Sequence, residues 1–94
     1  MFVLHVDLVV KPEAHQEIEA VYATVFCQAV SKQAGFHTAG LLRPEDGGNR
    51  YRLTIAFKNR EFQQQWVASD LHQEVWPHIE SRCAGFSVNN YTAV

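Results

Sequence analysis

Residues 2–12 read FVLHVDLVVKP, an apolar strand that runs straight into a proline-started helix. Alternation puts Leu4, Val6 and Leu8 on one face and His5 and Asp7 on the other. Val3, Val6, Val9 and Val10 add the β-branching that strands favour. Apolar residues occur on both faces, so this is expected to be an inner strand. Pro12 then suits the first turn of a helix, where its missing N–H leaves no bond unmade. Glu13 and Glu17 fall near the positive end of that helix.

Working outward, the helix is expected from Pro12 to Gln33. Ile18, Val21, Tyr22, Val25, Phe26, Ala29 and Val30 recur at spacings of three and four and form a stripe for packing on a sheet. Gly35 is the expected left-handed cap. Phe36–Arg43 and Tyr51–Lys58 read as two strands of a hairpin around the polar loop PEDGGN, residues 44–49. Tyr51, Leu53, Ile55 and Phe57 share one face of the second of these strands. Asn59 is an expected N-cap for a short helix bearing Phe62, Trp66 and Val67. Ser69-Asp70 offers a break and a fresh cap, after which Leu71, Val75 and Ile79 continue the apolar spacing. Pro77 predicts a kink near Trp76 or a new helix start. Phe86–Thr92 closes the chain as a last strand.

The order βαββαβ predicts an α+β, ferredoxin-like sandwich with an antiparallel sheet, in one domain over residues 1–94. Helices cover only one face of such a sheet. The other face is expected to meet a second copy of the chain, giving a homodimer.

Composition excludes several classes. The 94 residues carry a formal net charge of −2 and no basic stripe, which argues against nucleic acid and anionic membrane as partners. No apolar run is long enough to span a bilayer. The N-terminal segment carries His5 and Asp7 and lacks a basic start, so it reads as a strand rather than a signal sequence, and the expected location is cytoplasmic. Cys27 and Cys83 lie too far apart for a disulfide framework and are expected as buried thiols at helix positions. No histidine or carboxylate pair has metal-ligand spacing, and no glycine-rich phosphate loop occurs, so neither a metal nor a nucleotide cofactor is expected.

The strand leading into Val10-Lys11-Pro12-Glu13, the helix ending at Gly35-Phe36, and above all residues 62–72, FQQQWVASDLH, resemble the antibiotic biosynthesis monooxygenase family over essentially the whole chain. The resemblance implies a dimeric α+β barrel, with two sheets face to face and helices outside. It also implies an apolar pocket between sheet and helices for a small aromatic or polyketide-like substrate, and an oxygenation that uses no metal or flavin.

On this resemblance Trp66 lines the pocket and is linked to activity, although the same indole serves equally as a core anchor. The family's oxygenases carry an asparagine one turn earlier, where this chain has Phe62. That replacement makes the pocket more apolar and favours an alternative reading as a non-catalytic ligand-binding dimeric module. His72 or His5 would serve as base, with an imidazole suited to neutral pH. Capping and interface roles explain the two histidines as well. Phe62, Tyr22, Phe26, Tyr51 and Trp76 are the expected substrate-binding walls, the tyrosines with a phenol to donate. Haem-degrading relatives ligate iron at the position of Trp76 and use a strand-one asparagine that this chain lacks, which sets haem chemistry behind the other two readings. On a sheet face that meets a partner, Arg52 or Arg43 is expected to pair across the two-fold with a carboxylate such as Asp7, the alternative being to anchor an anionic substrate.

Overall fold

The computed structural model describes all 94 residues. Strand β1 spans Phe2–Val10, β2 Phe36–Leu42, β3 Arg50–Phe57 and β4 Cys83–Thr92. They form one antiparallel sheet in the order β2-β3-β1-β4, so β1 is an inner strand as its two-sided apolarity requires. This is the ferredoxin-like α+β arrangement. β4 begins three residues before the expected start, because Cys83 pairs with Val10 past an irregularity at Val9/Val10. Cys83 is therefore a strand residue and not a helix residue. Both thiols are free and only half-buried, Cys27 beside the apolar stripe of its helix and Cys83 at the first position of β4.

Helix α1 is composite. A 3-10 turn at Pro12–Ala14 leads into α-helix His15–Val21, a π turn at Tyr22–Phe26 and α-helix Cys27–Val30. The π turn is set by the Cys27 N–H donating to the Tyr22 carbonyl, one residue further back than an α-helix allows. Gly35 has φ +74° and takes the left-handed conformation expected of it.

Helix α2, Arg60–Ala68, is capped by the Asn59 side chain, which accepts from the Phe62 N–H at 3.1 Å. Helix α3, Asp70–Glu80, follows after a single residue, with the Ser69 hydroxyl accepting from the His72 N–H at 3.1 Å. No new helix starts at Pro77, and α3 runs on through it to Glu80. The proline falls near the helix C-terminus, where its missing donor removes one bond and the Pro77 carbonyl still accepts from the Ser81 N–H at 2.9 Å.

The core lies between the helices and the inner face of the sheet. Leu4, Val6 and Leu8 of β1 and Tyr51, Leu53, Ile55 and Phe57 of β3 are all buried there against Ile18, Phe26, Val30, Trp66, Val75 and Ile79. The opposite face is bare. Register places His5, Asp7, Arg52, Thr54 and Asn89 on it beside Val3, Val9 and Tyr91, so it is more polar than an apolar dimer seam would be. No helix is long and apolar enough to cross a membrane.

Candidate functional site

A cavity of about 290 Å³ opens between sheet and helices. Its floor is Leu4 and Val6 of β1, Leu53 and Ile55 of β3, and Phe86 and Val88 of β4. Phe86 and Val88 pair with Leu8 and Val6 and so point to the same inner face. Both remain exposed. The roof is Phe26 of α1, Trp66 and Val67 of α2 and Trp76 of α3. Ten of the twelve lining residues are hydrophobic; the other two are Gln63 and His72.

The aromatic rings interlock. Phe26 meets Trp66 edge to face at 6.0 Å, and Trp66 meets His72 edge to face at 5.1 Å. Trp76 lies parallel to His72 at 6.3 Å, with 12° between planes, and edge to face with Phe86 at 5.1 Å. These contacts exist because α3 restarts at Ser69 directly after α2. The restart brings the face bearing His72 and Trp76 round beside Trp66. Burial pushes the His72 imidazole below its ordinary pKa, and no charged neighbour contributes to that shift. Its Nδ1 is shielded from water and has no hydrogen-bond partner.

The structure thus brings together Trp66, His72, Trp76 and Phe26 from the expected set. It places the other four elsewhere. His5 is on the bare face, 4.9 Å from the Tyr91 ring, because β1 alternation separates it from Leu4. Phe62 is turned onto Gly35, where a Cβ would lie 2.2 Å from its ring. Tyr22 faces a separate depression with Glu19, Leu41, Arg43 and Tyr51. Tyr51 is buried, and its hydroxyl donates to Glu19 Oε2 at 2.6 Å.

Gln63 was within reach of sequence reasoning. It lies three residues before Trp66 and so shares the indole's side of a helix, where Phe62 at four residues does not enter the cavity. Phe86 and Val88 were legible as alternate residues of a strand, but only the register with β1 shows that they face inward.

A wider depression of about 660 Å³ lies at the end of the sheet, with Asp7, Arg50 and Arg52 around it. Arg52 Nε donates to Asp7 at 2.7 Å within the chain, which holds that pair across β1 and β3.

The chain matches the model of a family described as antibiotic biosynthesis monooxygenase over residues 1–76. No curated protein matches it. Among solved structures it is similar to a cofactor-independent oxygenase, SnoaB from Streptomyces nogalater, in an asparagine-to-alanine mutant: 19% identity, 98% of this chain and 91% of that chain covered, TM-score 0.85. A conserved protein from Methanosarcina mazei Go1 has 19% identity, 96% and 89% coverage and a TM-score of 0.83. An arginine-to-serine mutant of MhuD, with two manganese protoporphyrin IX bound per active site, has 25% identity, 100% and 95% coverage and a TM-score of 0.82.

Proposed function

We propose that this chain, which belongs to the antibiotic biosynthesis monooxygenase family, is a cofactor-independent monooxygenase acting as a homodimer on a small aromatic substrate. The observation that supports this is the cavity itself: ten hydrophobic lining residues, two of them indoles, around a single imidazole. An apolar cavity suits oxygenation of an electron-rich anion. The substrate CH₂ loses a proton, and the carbanion gives an electron to dioxygen. The radical pair joins as a hydroperoxide, and loss of water leaves a ketone; one oxygen atom enters the product and the other leaves as water. The protein's part is to orient the ring, exclude bulk water and hold the oxygen function of the substrate. Trp66, Trp76 and Phe26 do the first two, and His72 does the third.

The test is oxygen uptake with a panel of hydroxylated anthrones and quinols. Turnover is expected on at least one, with His72→Ala lowering the rate about 10²-fold and Trp66→Phe weakening substrate binding. No uptake above the solvent rate on any member would remove the enzyme reading.

A second reading, a ligand-binding dimeric module without catalysis, is favoured by Phe62. The position at which the family's oxygenases carry an amide holds a phenyl ring turned away from the cavity. Saturable quenching of tryptophan fluorescence without oxygen uptake would decide for it. The residues do not fit haem. The cavity of about 290 Å³ is smaller than a porphyrin, Trp76 stands at the iron-ligating position, and His78 is exposed on α3. Absence of a Soret shift on haemin titration is expected.

A further inference from the structure

We propose that His72 meets its ligand as a hydrogen-bond donor, through Nε2–H, rather than as a base, and so favours ligands that present an oxygen acceptor to it. The inference rests on the cavity being a ligand site, as proposed above, and specifies the chemistry of that ligand.

The two ring nitrogens of His72 stand in different surroundings. Nδ1 is shielded and unpartnered. Nε2 makes no bond within the protein and is not among the shielded atoms, so of the two it is the nitrogen a ligand can reach. A neutral imidazole carries one proton, on one nitrogen or the other. A shielded N–H without an acceptor is among the rarest features of folded proteins, whereas an acceptor left without a donor is tolerated more often. The proton therefore belongs on Nε2. The ring plane is held between two indoles, with Trp66 edge-on at 5.1 Å and Trp76 parallel at 6.3 Å.

The neutral form is also the favoured one. His72 is the third residue of the 11-residue helix α3, and its backbone N–H is held by the Ser69 hydroxyl. The positive end of a helix disfavours an imidazolium. Triosephosphate isomerase shows the same principle: a histidine at a helix N-terminus stays neutral and polarises a carbonyl.

A base at this position would need the proton on Nδ1, where nothing accepts it. A donor needs only what is already there. As the substrate ionises, negative charge gathers on its carbonyl oxygen, and Nε2–H stabilises that oxygen in an apolar site where such a bond counts for most. The substrate proton passes to a water molecule at the mouth of the cavity.

Two measurements test this. Long-range ¹H–¹⁵N spectra of the imidazoles, assigned with His72→Gln, are expected to show His72 at neutral pH as the Nε2–H tautomer. The Nδ1–H pattern would overturn the proposal whether or not any ligand binds. The second measurement follows the indole N–H signals of Trp66 and Trp76 during titration with 1-tetralone and with tetralin. The ketone is expected to bind about tenfold more tightly. His72→Leu should bring that ratio to one or below, and His72→Gln, which keeps a donor, should restore part of it. Equal affinities in the wild-type protein would overturn the donor role while leaving the cavity a ligand site. No shift with either compound would remove the ligand site itself.

Discussion

Glu19 is held well below the usual carboxylate range, at about 2, because Arg43 and Tyr51 both donate to it. The folded value lies under the 4.5 of an unperturbed carboxyl. Stability from this group is therefore complete above about pH 4.5 and is lost as pH falls through about 2. In urea titrations, the gap between wild type and Glu19→Gln should be widest above pH 4.5 and close toward pH 2; a gap that does not change with pH would show that the pairing is without effect. Tyr51→Phe removes the buried hydroxyl and should cost about 1 kcal/mol. It should leave ligand affinity unchanged, because Tyr51 lies outside the cavity. Sequence alone assigned Tyr51 to the substrate because an aromatic phenol near a core suits a pocket as well as an ion pair. The partner that decides, Glu19, is 32 residues away and becomes a neighbour only when α1 lies on β3. His5 was more legible, since strand alternation already set it opposite Leu4, and the apolar set goes to the core. Trp66, His72 and Trp76 were legible because His72 and Trp76 lie four apart on α3 and the Ser69 restart that turns them beside Trp66 is itself a local signal.

At the scale of elements, the start of α3 and the end of α1 position the cavity. Ser69→Ala deletes the cap that fixes the first turn of α3 and should lower stability by about 1 kcal/mol. Ligand affinity should fall with it, because His72 is the residue whose N–H that cap holds. Unaltered affinity in Ser69→Ala would mean that packing against Trp66 and Trp76 suffices to place the imidazole. Gly35→Ala meets two obstacles. The backbone there is left-handed at φ +74°, and the added Cβ would sit 2.2 Å from the Phe62 ring. A loss of about 2–4 kcal/mol is expected from strain plus overpacking. Phe62→Ala should relieve only part of it, since the Phe62 Cβ itself lies 2.7 Å from the added atom. The Asn59 and Ser69 caps, the glycine cap and the clean alternation of β3 were all readable, because each depends on chemistry within a few residues. The π turn at Tyr22–Phe26 was not. The apolar stripe of α1 runs through it unbroken, and no residue of the stretch marks the wider turn. Pro77 misled in the opposite direction, since the local rule against a mid-helix proline weakens within the last turns.

For the whole molecule, the bare face of the sheet governs association. Asp7 and Arg52 sit directly opposite each other on β1 and β3 and are already paired within one chain at 2.7 Å. A two-fold partner would therefore meet a neutralised pair, flanked by Val3, Val9 and the half-exposed ring of Tyr91. His5 lies against that ring with its Nδ1 shielded and unpartnered. A face of this kind, apolar patches around a satisfied ion pair, suits association better than a face of unpaired charge, because no ion is stripped of its partner when water leaves. Arg52→Glu reverses that. It sets two carboxylates directly opposite each other in the register, and like charges so placed repel. Sedimentation velocity should show the wild-type chain as a dimer, with Arg52→Glu shifted toward monomer by about tenfold or more in dissociation constant. Asp7→Lys in the same chain restores an opposite-sign pair and should recover the dimer. A wild-type protein that stays monomeric at high concentration would mean that the bare face needs no second copy. Equal dimer stability in wild type and Arg52→Glu would instead place the association on another surface, the exposed Phe86 and Val88 of β4 being next in line.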